Sequence, residues 1–205
     1  MSRYRGPRIR IIRRLGHLPG LTTKTTNRKK TPGDHGTEPR RGNTRLALSD
    51  DFRNRLIEKQ KLRYNYGVSE KQLVKYVQEA KRRPGSTEDN LINLLEVRLD
   101  CILFRLGFAK TIPGARQLVN HGHIIVNNKK VKTPSFECKV NDIITVREKT
   151  ASKNLVNCFL GLQPETYPHL QVKKEKLEGT IITLPKRKSL NLEIDELKVI
   201  EYYSR

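Results

Sequence analysis

Between residues 49 and 106 the apolar positions fall in helical phase. Ser49 reads as the N-cap of a first helix whose opening turn carries Asp50 and Asp51, the sign that the helix dipole favours. Its apolar residues are Phe52, Leu56 and Leu62, set among Arg53, Arg55, Lys59, Lys61 and Arg63, and Tyr64-Asn65-Tyr66-Gly67 breaks it. A second helix opens on a capping box, Ser69 with Gln72, beside a hydrophobic staple of Val68 and Leu73. Leu73, Tyr76, Val77 and Ala80 then recur at i, i+3, i+4 and i+7 until Arg83-Pro84-Gly85 stops the run. A third helix is predicted from Ser86 or Thr87, with Leu91, Leu94, Leu95, Leu99, Ile102, Leu103 and Leu106 on one face and Gly107 as its stop. On one continuous helix Arg98 and Arg105 project from nearly the same side, roughly 10 Å apart.

Beyond residue 107 the period shortens. Pro113 opens a short helix through Ala115–Val119 that ends near Gly122. Ile124–Val126, a polar Asn127-Asn128-Lys129 turn and Val131 read as a hairpin, and Ile143–Val146 as a further strand entered from an Asn141-Asp142 turn. Residues 149–178 show no clear period. A strand is predicted over Thr180–Leu184 before Pro185, and a last amphipathic helix from Asp195 to Tyr203. There is no internal repeat.

Charge changes how the N-terminus is read. Residues 1–45 hold thirteen Lys or Arg, opposed only by Asp34 and Glu38, and are punctuated by Gly6-Pro7, Pro19-Gly20, Pro32-Gly33 and Gly36. Long helices are not expected there. Two readings stay open: a disordered basic tail, or an extended arm that orders only on a polyanion. The whole chain of 205 residues carries 42 Lys and Arg against 21 Asp and Glu, a formal +21. Such a surface condenses on nucleic acid, with an affinity that falls steeply as salt rises. No stretch reaches the ~18 consecutive apolar residues of a spanning helix, so no membrane partner is expected. Cys101, Cys138 and Cys158 are an odd, widely spaced set, which suits a reducing compartment and ordinary buried thiols. The N-terminus is basic without an apolar segment behind it, so it is expected to be a mature start in the compartment of synthesis.

No catalytic constellation stands out. Phosphate-loop, His-Glu-x-x-His and Gly-x-Ser-x-Gly patterns are missing from the sequence, so no enzyme activity and no cofactor are expected. His121 and His123 would share a face on a strand, but without nearby carboxylates or thiols they read as a turn edge or as contacts to phosphate or base, not as metal ligands. Residues 91–147 gather Arg98, Arg105, Arg116, Lys129, Lys130 and Lys132 around a small apolar core, a pattern suited to tracking an RNA backbone.

Within that block Val97-Arg98-Leu99-Asp100, Phe104-Arg105-Leu106-Gly107 and Ala115 through Asn127 (ARQLVNHGHIIVN) resemble the RNA-binding module first named from ribosomal protein number four of the small subunit. Arg3-Tyr4-Arg5-Gly6-Pro7, Leu15–Leu21, Glu58–Gly67 and Glu201–Arg205 resemble the same family, so the likeness spans the chain. The resemblance implies an α+β fold. A basic extended arm covers 1–48, and a helical domain of 49–92 is completed by about 176–205. The RNA-binding module of helix, helix, hairpin and strand is inserted at 93–160, with a connecting segment at 161–175.

It also implies a non-enzymatic, primary binder of small-subunit rRNA that nucleates the subunit body. Further implied partners are neighbouring ribosomal proteins, including number five at an interface that affects accuracy, and mRNA near its entrance. Carried over by residue, the module's RNA face falls on Arg98, Arg116 and the Asn127-Asn128 turn, and Arg40, Arg41 and Arg45 lie toward the mRNA. The full candidate RNA-binding set adds Arg3, Arg5, Arg8, Arg13, Arg14, Lys61, Arg63, Arg105, His121 and Lys129. Some bacterial relatives hold zinc through cysteines in the arm, whereas this arm has none, so no metal is expected. Texture and N-terminus resemble an organelle-encoded plastid copy, with bacterial cytoplasm as the alternative. A modification enzyme or synthetase carrying the same module would need a second domain built around a pocket. A general nucleic-acid compactor would bind without site preference.

Overall fold

Pro7 fixes its own φ at −70° and starts α1, Arg8–Leu15, which ends at Gly16 with φ +90°. The computed structural model describes residues 4–28, 32, 46–160, 167–185, 187–190 and 193–204. Ile11, Ile12 and Leu15 form the buried face of α1, and Leu18 and Leu21 extend its cluster onto Ile57 and Tyr64. This corrects the expectation of an extended arm over residues 8–15: Pro7, read as a breaker, instead starts a short amphipathic helix. The segment is pinned further at Gly20, whose N–H donates to Asn65 Oδ1 at 2.9 Å while its carbonyl accepts from Ile112 N–H at 2.8 Å.

Helix α2 spans Leu46–Asn65 and so begins upstream of Ser49, which lies inside it and is not the N-cap. Leu46, Ala47 and Leu48 are good helix formers and carry the helix past the polar residue. Helix α3, Glu70–Arg82, starts as expected, with Ser69 Oγ accepting from Gln72 N–H at 3.4 Å and Leu73, Tyr76, Val77 and Ala80 buried.

The predicted third helix is two helices, α4 (Thr87–Glu96) and α5 (Leu99–Arg105). At the break Arg98 is extended (φ −68°, ψ 140°) and bridges to Glu137. Leu99 and Asp100 donate their N–H groups to the carbonyls of Phe136 and Pro134, at 2.9 and 3.1 Å. The apolar stripe runs in phase across the break, which is why periodicity does not reveal it.

Helix α6, Ile112–Asn120, is capped by Thr111, whose Oγ1 accepts from Gly114 N–H at 3.2 Å. Strands β1 (Ile124–Val126) and β2 (Lys129–Lys130) are joined by Asn127 and Asn128 with φ of +47° and +62°, a two-residue turn whose twist matches the strands. Strand β3 is Ile143–Val146, and α7, Thr150–Leu160, follows where no period was read. Strands β4 (Leu170–Lys173) and β5 (Glu178–Ile181) complete an antiparallel sheet in the order β2-β1-β3-β5-β4. A last helix, α8, Glu196–Tyr202, is capped by Asp195.

Two main cores result. One packs Leu62, Tyr66, Leu73, Leu91 and Leu95 against Leu190, Ile194 and Val199, so the C-terminal segment closes the helical domain. The other packs Leu99, Leu103, Phe108, Val119, Ile124, Ile144 and Ile181 under the sheet. Residues 170–173 and 178–181 therefore belong to the module's sheet. They are neither a connecting segment nor part of the helical domain, because Gly179 and Ile181 point inward, with Gly179 over Leu106.

Gly20 generates a test. A Cβ there would stand 2.6 Å from the Asn65 carbonyl and 2.9 Å from Ile112 Cδ1. Gly20→Ala is expected to lower stability by about 1–3 kcal/mol in urea titration. It should also strip amide-exchange protection from residues 11–21 before the rest of the chain.

Candidate nucleic-acid interface

The seam between the helical domain and the module is held by two buried ion-pair groups. Arg98 donates from Nε (3.1 Å) and Nη2 (2.8 Å) to the two oxygens of Asp100, and from Nη1 to Tyr76 Oη at 2.6 Å. Asp100 Oδ2 also accepts from Arg116 Nε at 2.6 Å. The other nitrogens of Arg116 donate to the carbonyls of Tyr66, at 2.9 Å, and Gly67. In the second group Arg105 donates to both oxygens of Glu96 (3.1 and 2.7 Å) and to Tyr167 Oη at 2.8 Å, while Tyr66 Oη donates to Glu96 at 2.6 Å. Burial and then Glu96 push the Tyr66 phenol well above its ordinary value. Burial opposes the charge on Arg98 and on Arg105, and the paired carboxylates outweigh it, so both guanidiniums are held charged.

This corrects the sequence reading of Arg98 and Arg105. Their side chains are 1% and 6% exposed, and with the helix broken between them they do not form a pair on its outer face. The signal that marks them is present in the sequence: each sits within the apolar stripe, and Glu96 and Asp100 are the acids in the same stripe. A cation and an acid that both interrupt a buried face are a pair.

Above the seam, two clefts flank the ridge formed by Gly67, Val68 and Ser69. The larger, about 510 Å³, is lined by Tyr4, Arg5, Arg8, Arg63, Tyr64 and Gln117. Tyr4 meets Tyr64 edge-on at 5.5 Å, and Arg63 lies 5.2 Å from the Tyr64 ring centre. The smaller, about 300 Å³, is lined by Gln72, Asn120, Lys132 and Thr133. Arg116 lines both, and among the described residues no Asp or Glu lines either cleft. Of the candidate set, Arg5, Arg8, Arg63 and Arg116 are thus brought together. Arg63 is partly offset by Glu70, 3.7 Å from its Nε. Arg14 is exposed on α1 and Arg13 half-buried, whereas Lys61 is paired to Glu58 at 2.7 Å and lines neither cleft. Arg3, Arg40, Arg41 and Arg45 lie outside the described residues.

A third basic feature lies at the hairpin. Arg147, then burial, Lys132 and Lys149 hold the Lys130 amine below its ordinary value, the mark of crowded like charges. Arg147 N–H donates to the His123 carbonyl at 2.8 Å, because Ile124 pairs with Val146. The β1–β3 register that places Arg147 there is not stated by the hairpin, so Arg147 was missing from the candidates. His121 is exposed, while His123 Nδ1 is 2.8 Å from Ser152 Oγ. Asn128 and Lys129 are exposed, but Asn127 is engaged internally. Its amide donates to Asp142 at 2.8 Å and accepts from Ile143 N–H at 2.9 Å, so it shapes the turn. Among the described residues no three His, Cys, Asp or Glu side chains are placed to hold a metal, and no helix is long and apolar enough to cross a membrane.

Residues 3–96 match the family described as Ribosomal protein S4/S9 N-terminal domain, and residues 97–144 match the S4 domain. The boundary falls at the break between α4 and α5. Over its full length the chain is 53% identical, across 207 residues, to the small ribosomal subunit protein uS4c of Rhodomonas salina, covering 99% of that protein. The chain belongs to the uS4 family. It is also 53% identical to uS4c of Prototheca wickerhamii over 207 residues, 99% of that protein. To uS4 of Prochlorococcus marinus strain MIT 9303 it is 51% identical over 208 residues, again with 99% covered. A uS4 protein is a structural constituent of the small ribosomal subunit, and the S4 domain implies rRNA binding. The basic clefts lie where the uS4 N-terminal domain meets that module.

Two outcomes follow for the uS4 seam. Asp100→Asn leaves Arg98 buried without its carboxylate and is expected to cost about 3–5 kcal/mol in denaturant titration. At His123, burial and then His121, Arg147 and Lys130 hold the imidazole below its ordinary 6.5. The unfolded chain therefore binds this proton more tightly. The contribution of His123 to stability is full above about pH 6.5 and is lost as pH falls toward the lower folded value. NMR titration of the free protein should give His123 a midpoint below the ordinary 6.5 of an exposed imidazole.

Proposed function

We propose that this uS4 chain is a primary rRNA-binding protein that nucleates the body of the small subunit and contributes to translational accuracy. The observation that carries the reading is the basic groove, lined by no acid among the described residues, across two domains whose relative position is fixed by buried ion pairs. Phosphate contacts give affinity, and a rigid spacing between them gives register, so a fixed groove supports binding at one folded site. A primary binder must meet naked rRNA before other proteins shape it, and a groove that needs no partner to form suits that role.

Arg5, Arg8, Arg63, Lys132, Lys130 and Arg147 are assigned to the phosphate track, with His121, Asn128 and Lys129 at its hairpin end. Arg98, Arg105 and Arg116 are assigned to holding its floor. Arg40, Arg41 and Arg45 are assigned to mRNA near its entrance, on the family resemblance. For the neighbouring subunit protein number five, α2 and α8 offer Phe52, 46% exposed and 5.6 Å from the Tyr202 ring, the kind of aromatic anchor that protein interfaces use. The plastid-type relatives support an organelle-encoded protein of the plastid stroma, and the cyanobacterial relatives support the alternative, bacterial cytoplasm.

Footprinting of the purified chain on full-length small-subunit rRNA, with no other protein present, tests this at ~0.15 M salt and at several times that. A compact protected region should persist against competitor RNA. Arg5→Ala with Lys132→Ala should weaken binding and lower the salt slope by about one unit per cation removed. Diffuse protection that vanishes with salt would leave a general compactor instead.

A further inference from the structure

The two clefts differ in chemistry. The larger presents cations and tyrosines to a backbone. The smaller is mostly neutral at its rim, where Lys132 is the exposed cation: Ser69, Gln72, Asn120 and Thr133 supply hydroxyl and amide groups, and Val68 and Pro134 supply apolar surface. Gln72 and Asn120 side chains make no hydrogen bond among the described residues, so both amides are available to a ligand. Arg98 and Arg116 also line this cleft. Three nitrogens of each are already bonded, to Asp100 and Tyr76 in one case and to Asp100 and two carbonyls in the other. Both are poor hydrogen-bond donors for a phosphate; Arg116, 12% exposed, is a fixed, planar cation of the kind on which bases stack, while Arg98, 1% exposed, lies beneath it as part of the floor.

We propose that the 300 Å³ cleft binds one unpaired nucleotide of the RNA, base inward, and that Gln72 and Asn120 read the edge of that base. The inference rests on the rRNA-binding reading and deepens it. A cleft of this volume stands at the small end of ligand pockets, ~300–1,000 Å³, with room for a ring and its sugar but not for a helix. Each amide carries a donor and an acceptor, which suits a base edge better than a phosphate, an acceptor alone. Asp100 leaves one excess positive charge shared between Arg98 and Arg116, enough to hold the nucleotide's own phosphate near Lys132 at the rim. Sequence specificity in RNA recognition is taken up mostly by such unstacked bases, while paired regions are read by shape.

The test compares Gln72→Ala/Asn120→Ala with Arg5→Ala/Lys132→Ala in the full chain, using full-length small-subunit rRNA and an unstructured competitor RNA as probes. Ser69 caps α3 through the backbone N–H of residue 72, so removing the glutamine side chain leaves the cap in place. The amide pair should weaken rRNA binding about tenfold while leaving the salt slope and competitor affinity unchanged. Base-specific chemical probing should show one unpaired nucleotide protected by the parent protein and exposed again by the amide variant, inside an otherwise unchanged footprint. Equal weakening toward both RNAs with a shallower salt slope would mean a phosphate contact, and would overturn the inference. So would unchanged rRNA binding while the Arg5/Lys132 variant is impaired, which leaves the groove reading intact. If neither variant alters a site-specific footprint, both readings fall.

Discussion

One carboxylate organises the seam. Asp100 is fully buried and accepts from two arginines that reach it from different elements, Arg98 at the break before α5 and Arg116 on α6. Arg116 then clamps the carbonyls that end α2, and Arg98 reaches the Tyr76 hydroxyl on α3. Four elements of two domains thus meet on one charge. Replacing such a network with apolar residues of the same shape is often neutral or stabilising, whereas breaking it costs several kcal/mol. Its contribution is geometric: the module cannot turn against the helical domain without leaving a buried charge alone. The Glu96–Arg105–Tyr66–Tyr167 group applies the same constraint at the other end of α5.

The geometry explains what was legible in the sequence. Helix α3, the Asn127-Asn128 turn, β3 and the Asp195 cap of α8 depend on signals within a few residues, and the chain states them locally. The break at Val97–Arg98 is different. It is stabilised by backbone groups of residues 134–138, far along the chain, and no local pattern reports a partner at that distance. Helix α1 was hidden because Pro7, which starts it, also reads as loop punctuation. Strand β4 and the start of β5 were hidden because Leu170–Lys173 and Glu178–Gly179 alternate weakly: β5 is placed by its pairing to β3, and β4 by its pairing to β5.

Composition located the kind of ligand but not the residues that face it. Charge counts an internal arginine and an exposed one alike, and three of the candidates, Arg98, Arg105 and Arg116, serve the frame. Conversely Arg147 and Lys149 carried no motif, and only the sheet brings them to Lys130. The acids separate the two classes. Glu96 and Asp100 are inside with their arginines, and Glu58, Glu70, Asp195 and Glu201 pair with cations on the helical domain.

That distribution has an electrostatic consequence. A protein with +21 spread evenly would attract any RNA and hold none in register. Here most of the paired carboxylates sit beside cations outside the clefts, and among the described residues none lines either cleft, Glu70 only partly offsetting Arg63. The uncompensated potential is concentrated where the surface is concave and low-dielectric walls focus it. On the proposed reading, long-range attraction would bring the RNA to the groove at modest salt. The choice of site would then depend on spacing, because phosphates must match cations whose positions the buried pairs fix. The same arginines that cannot reach a phosphate therefore set where the other cations stand, and loosening them would erode specificity before it eroded affinity.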